Sequence, residues 1–193
     1  MRAISVCGIM TIVVLVGLPT RLLAETPTQA LQETIDRFQT LLHDPGLKEE
    51  SRTEQVLGTI LARFDVQEMS KRILGPYWDQ PRDQQDAFVA EFTAFMKRLF
   101  VGHFEQITSL HVTCRGEEIR GAMAQVLATL STAGQAVTVN FRLHQQGVGW
   151  KIYDVVMDQG RVSLISSYRT QLQWILQSSS FDHLLRMIRE KNP

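Results

Sequence analysis

Asp154 is the residue of this chain best placed to do chemistry. It stands in "GWKIYDVVM", a carboxylate among apolar neighbours, and such a group is costly to bury unless it is paired. Tyr168 and Arg169, in the next element, offer a partner. The expected arrangement is a structural clamp, Asp154 with Arg169, that joins strand to helix; the competing reading makes Asp154 a general base. His103 is the second candidate base, but the apolar stripe around it points to a core boundary. The five histidines are His43, His103, His111, His144 and His183. None has metal-ligand spacing to another His, Cys or carboxylate, and no H-E-x-x-H, C-x-x-C, G-x-S-x-G or Gly-rich phosphate loop occurs. Glu117 and Glu118 are adjacent. Neighbouring side chains on a strand point to opposite faces, whereas paired catalytic carboxylates face one bond. The sequence therefore leads to no catalytic residue, no metal and no cofactor.

The elements that position these residues fall into two halves. Thr26-Pro27 suits a helix start, and Leu31, Ile35, Phe38, Leu41 and Leu42 continue it at helical spacing. A second helix carries Val56, Leu57, Ile60 and Leu61. Asp65 with Glu68 resembles a capping box before a short helix that stops at Gly75-Pro76. The longest helix is expected over 82–107, with Phe88, Phe92, Phe95, Met96, Leu99, Phe100, Phe104 and Ile107 along one stripe. Beyond it the period changes to two. Val137, Val139, Phe141 and Leu143 alternate with polar residues, and 150–157 reads as the next strand. Segments 111–119 and 123–131 are the preceding strands of an antiparallel meander. Two helices follow, at about 162–177 and 181–190. The expected fold class is α+β: helices packed on a curved antiparallel sheet of about four strands.

Composition sets the outer bounds. The chain has 193 residues, 44% hydrophobic and 21% charged, a globular balance. Arg2 precedes the apolar run "AISVCGIMTIVVLVGL", and Ala24 offers a small residue before "ETPTQA". Residues 1–24 thus read as a cleaved secretory signal peptide, with a mature domain over 25–193. Removing them takes away Arg2 and Arg21 and leaves 18 basic against 20 acidic residues, a formal charge of −2. Without a basic excess, nucleic acid is not an expected partner. The mature chain keeps one cysteine, Cys114, so no internal disulfide forms; on a strand, Cys114 reads as a small packed apolar residue.

Longer stretches carry a family likeness. "RFDVQEMSKRILGPYW" at 63–78 resembles the segment "RFDFxxMaxxaLGxxW", and "DQQDAFVAEFTAFMKRLF" at 83–100 is similar to "eQqxxFxxaFxxLLxxtY". "VTVNFRLHQQGVGWKIYDVVMDQGRVSLISSYRTQLQWIL" at 137–176 resembles "VpVdYrlrkkdggWkvyDvviegvSLvsnYRsqfxxil", and "FDHLLRMIREK" at 181–191 matches the last helix. These are segments of the MlaC, or toluene-tolerance, family, and the resemblance covers about 28–191. Phe100 replaces the usual Tyr, Pro76 a basic residue, and Arg161 precedes Val-Ser-Leu. Such departures leave open a specialised branch, such as relatives associated with hopanoid biosynthesis.

The resemblance implies a periplasmic, non-enzymatic phospholipid carrier. Its implied partners are an inner-membrane ABC lipid transporter complex and an outer-membrane lipoprotein complex. The physics agrees: a diacyl lipid exposes roughly thirty methylenes, and at about 0.8 kcal/mol each their hydration costs about 25 kcal/mol. A carrier needs an apolar pocket and no covalent chemistry. Candidate lipid-binding residues are Phe92, Phe95, Leu99, Phe100 and Phe104 on the long helix, Val139, Phe141, Trp150 and Ile152 on strands, and Tyr168. Tyr77 and Trp78 are expected at an entrance, where amphipathic rings suit a wet edge. The same stripes equally describe a filled core. The alternatives are a carrier of another apolar lipid such as a hopanoid precursor, an enzyme using the same pocket with Asp154 or His103 as base, and a chaperone or lipoprotein carrier.

Overall fold

The computed structural model describes residues 25–132, 134–157 and 161–190; residues 1–24, with the expected signal peptide, lie outside them. Helix α1 spans Pro27–Leu42. Its start is a complete capping box: Thr26 Oγ1 accepts from Gln29 N at 3.2 Å and Gln29 Oε1 accepts from Thr26 N at 2.9 Å, satisfying two backbone donors that the helix itself leaves free. Helix α2 spans Glu49–Arg63 and α3 Val66–Leu74. Asp65 caps α3 through Glu68 N at 2.9 Å. Glu68 turns instead to Arg72, at 2.7 Å. A 3₁₀ turn, Gly75–Trp78, follows. Gly75 has φ +55°, a left-handed backbone that side chains with a Cβ rarely adopt, so the reversal at this helix end favours glycine.

The long helix divides. Helix α4 covers Arg82–Gly102, His103 breaks it, and α5 is the short Phe104–Thr108. His103 is exposed, and its Nδ1 lies 2.9 Å from Leu99 O. It therefore serves the helix end and does not sit at a core boundary.

Strands β1 (His111–Arg120), β2 (Met123–Thr132), β3 (Gln135–Gln146), β4 (Gly149–Met157) and β5 (Val162–Ser163) form one open antiparallel sheet in the order β1-β2-β3-β4-β5. The meander is as expected, with a fifth, two-residue strand added where the next helix was expected to begin. Gly121 and Gly147, both at φ +62°, stand in the tight turns joining β1 to β2 and β3 to β4. Helices α6 (Leu164–Ser178) and α7 (Phe181–Glu190) end the described chain.

Strand β4 explains the carboxylate in an apolar strand. Leu143 pairs with Ile152 and Arg142 with Asp154, leaving Tyr153 as an unmatched extra residue, a β-bulge. The bulge shifts the alternation by one. Ile152, Val155 and Met157 all face the helices, while Asp154 shares the other face with Arg142. The bulged segment is held from outside by α3: Asp65 N donates to Ile152 O at 2.8 Å, and the Arg72 guanidinium lies 4.1 Å above the Tyr153 ring.

Asp154 is buried, at 2% exposure. Its Oδ2 accepts from Ser163 Oγ at 2.8 Å and from Arg142 Nη1 at 3.2 Å, and its Oδ1 accepts from Ile165 N at 3.1 Å. Ser163 is the N-cap of α6 and accepts from Ser166 N at 3.0 Å. The carboxylate therefore ties strand to helix, at the positive end of the α6 dipole. Its ionic partner is Arg142, not Arg169. The Arg169 guanidinium donates to the Arg72 carbonyl, from Nε at 2.7 Å and also from Nη2, closing the end of α3. The expected pair is thus two separate ties.

Asp154→Ala is expected to lower the unfolding free energy by about 3 kcal/mol, since it strands several donors at once. Arg169→Ala is expected to cost about 1–2 kcal/mol. Because the two residues share no bond, urea midpoints of the double variant should give additive losses; a coupling above about 1 kcal/mol would contradict the two-tie description.

Candidate functional site

The buried apolar residues form three clusters that do not merge. One joins α3, α4, α6 and α7 around Phe88, Met69, Ile73 and Leu184. A second joins α1 to the sheet through Leu31, Val126, Leu143 and Trp150. The third is local to α1 and α2, around Phe38, Leu41 and Val56. Between them lies a cavity of about 330 Å³, open to solvent, whose wall draws on all three. This is within the usual range of small-molecule sites, about 300–1,000 Å³.

The sheet provides Val112, Leu130, Phe141, Ile152, Val155 and Met157 to the wall, and α4 provides Phe92, Phe95, Met96, Leu99 and Phe100. Helix α1 lays Leu31, Thr34, Ile35, Phe38 and Gln39 across it, and α6 contributes Leu164 and Tyr168. Polar atoms are scarce. Arg63, the charged side chain of the wall among the described residues, is fully engaged: Nε donates to Thr34 Oγ1 at 2.7 Å, Nη1 to Trp150 O at 3.0 Å and Nη2 to Glu33 Oε2 at 3.1 Å. Its stem lines the cavity while its charge is spent pinning α1 and α2 to β4.

Of the candidate lipid-binding residues, Phe92, Phe95, Leu99, Phe100, Phe141, Ile152 and Tyr168 share this wall. Tyr77, Trp78, Phe104, Val139 and Trp150 are elsewhere. Tyr77 and Trp78 pack, half-buried, against the α3–α4–α6–α7 cluster, apart from the residues of the cavity wall. Phe104, beyond the helix break, faces a cleft with Leu42 and His43. Trp150 is held in the α1–sheet packing, its indole N–H donating to Glu25 O at 2.9 Å. Val139 is closed off at 1% exposure. The α1 row Leu31, Ile35 and Phe38 was visible as helical spacing, but nothing in that spacing separates a row facing a hollow from one facing side chains.

Titratable groups are sparse here. Burial pushes the Tyr168 hydroxyl above its ordinary value of 10.0. Burial first, then Glu117, pushes the Cys114 thiol above 9.0. Glu117 itself caps α1, accepting from Thr28 N at 2.8 Å, while Glu118 pairs with Arg120; the two adjacent acids serve different faces, as strand geometry requires. Among the described residues no group of three or more His, Cys, Asp or Glu is placed to hold a metal ion. Nor is any described helix long and apolar enough to cross a membrane.

An antiparallel meander roofed by helices over an open, almost wholly apolar hollow defines the class, an α+β protein with an internal apolar cavity. The chain belongs to the MlaC protein family, whose profile matches residues 29–190. Its structure is similar to that of a phospholipid-binding protein from Ralstonia solanacearum, solved in complex with a phospholipid. The TM-score is 0.72 and the identity 20%, covering 88% of this chain and 96% of that one. At that identity the likeness speaks for the fold. No curated protein matches the chain.

Both raised groups are neutral acids whose folded pKa lies above the unfolded value. Their contribution to stability is whole below that value and is lost as pH rises through the folded one. Stability of the chain from Glu25 onward should therefore fall above about pH 9. Tyr168→Phe should remove the part of that fall beginning near the ordinary tyrosine value of 10.0. Urea midpoints measured from pH 8 to 11 test this, and an unchanged alkaline slope in Tyr168→Phe contradicts it.

Proposed function

We propose that this protein is a carrier that hides the hydrocarbon of a phospholipid in the cavity between its three core clusters. The observation that carries the reading is the wall itself, which is apolar on every side with its one cation already satisfied. Among the described residues such a wall offers little to a polar substrate. It does offer methylenes a favourable transfer of about 0.8 kcal/mol each. Membership of the MlaC family supports the reading. So does the fold it shares with a protein solved with phospholipid bound.

On this reading residues 1–24 direct export, and the mature domain works in the periplasm. It shuttles lipid between an inner-membrane ABC-type transporter complex and an outer-membrane lipoprotein complex. The protein is not an enzyme and uses no cofactor; phospholipid is cargo. The cavity walls do not bind the head group by charge, so the head remains near solvent, where its hydration is kept.

The purified protein is expected to carry phospholipid that organic extraction and mass spectrometry detect. Phe141→Asp, which puts a carboxylate in the wall, should abolish this at retained secondary structure. Returning a short-chain phospholipid to the stripped protein at 100 times its Kd should raise stability by about 2.7 kcal/mol. Protein that neither yields lipid nor gains stability from it would defeat the proposal.

A further inference from the structure

One side of the cavity is a plate of three rings. Tyr168 meets Phe92 and Phe95 edge-on, with centroids 5.9 and 5.7 Å apart, and Phe92 lies 6.2 Å from Phe95. All three rings line the cavity. Behind them the protein is solid. Phe88 stacks on Phe92 at 6.0 Å, with 10° between the ring planes. It is fully buried and takes no part in the wall. Phe92 thus stands between the hollow and a filled core, at 2% exposure, whereas Met157 in the same wall is 37% exposed.

Since Arg63 is bound by its own neighbours, the wall can discriminate among guests by shape and not by charge. A flexible hydrocarbon that reaches the plate has no space beyond it, because interiors are packed to crystal density. The edge-on contacts hold the rings against reorientation. We propose that the plate of Phe92, Phe95 and Tyr168 is the stop that sets the longest hydrocarbon chain the cavity accepts, with Phe92 as the specificity-determining residue. This rests on the carrier reading above and adds to it a selectivity by acyl length.

The test offers stripped protein a mixture of saturated phosphatidylcholines of graded acyl length and weighs what is retained. Phe92→Leu removes a net of about three side-chain carbons, so the preferred chain should lengthen by about two to three carbons. Ile152→Phe, across the wall, adds about three and should shorten the preference by a similar amount. Phe88→Leu makes the same reduction behind the plate and should leave the preference at the wild-type length. Unchanged preference in both Phe92→Leu and Ile152→Phe, or an equal shift in Phe88→Leu, overturns the stop while leaving the carrier in place. Failure to retain any chain removes the carrier and the stop together. If Phe92→Leu does not fold, Phe95→Leu, the same reduction in a second ring of the plate, decides the matter by the same lengthening or its absence.

Discussion

The governing constraint is the hollow. A sealed void of 330 Å³ would forfeit about 8 kcal/mol of packing, against a typical domain stability of about 5–15 kcal/mol. A chain of 22.0 kDa can keep such a space only if its surroundings are fixed by other means. The three clusters supply density in three places, and polar ties at the margin of the hollow supply the angles between them. Asp154 binds β4 to α6, Arg169 closes α3 against α6, Arg63 fastens α1 and α2 to β4, and Glu117 secures the start of α1. Each tie turns its charge away from the apolar space. This division of labour explains why so apolar a site is bordered by so many satisfied ions.

Much of this was legible in the residues. Helix starts at Thr26 and Asp65, the α4 stripe and the change of period after Leu110 lead directly to helices on an antiparallel meander. The family likeness at 63–78 and 137–176 led further, to the family the chain belongs to. Seven of the expected residues, five on helices and two on strands, stand in the wall, each belonging to an apolar stripe visible in the sequence.

The rest depended on features that spacing does not encode. An apolar row on α1 looks the same whether it abuts other side chains or a space. Trp150 and Phe104 matched the size and character of wall residues, but the indole N–H found Glu25 O and the helix broke at His103. Asp154 was rightly suspected of joining strand to helix. Its partner was misassigned because nearness along the chain pointed to Arg169, while the ladder with β3 brings Arg142 alongside. Pairing partners are properties of register, and register here is decided by one unmatched residue.

That residue has a further consequence. Strand β4 is read in two phases, one up to Ile152 and another from Asp154 onward. Forcing Tyr153 into the regular ladder would rotate a carboxylate inward and eject Val155 and Met157, whereas excising it leaves Asp154 opposite Arg142 and Val155 opposite Phe141. The lining is therefore set by the register of Asp154 to Met157 against β3, and a one-residue slip of that register would rewrite it rather than trim it.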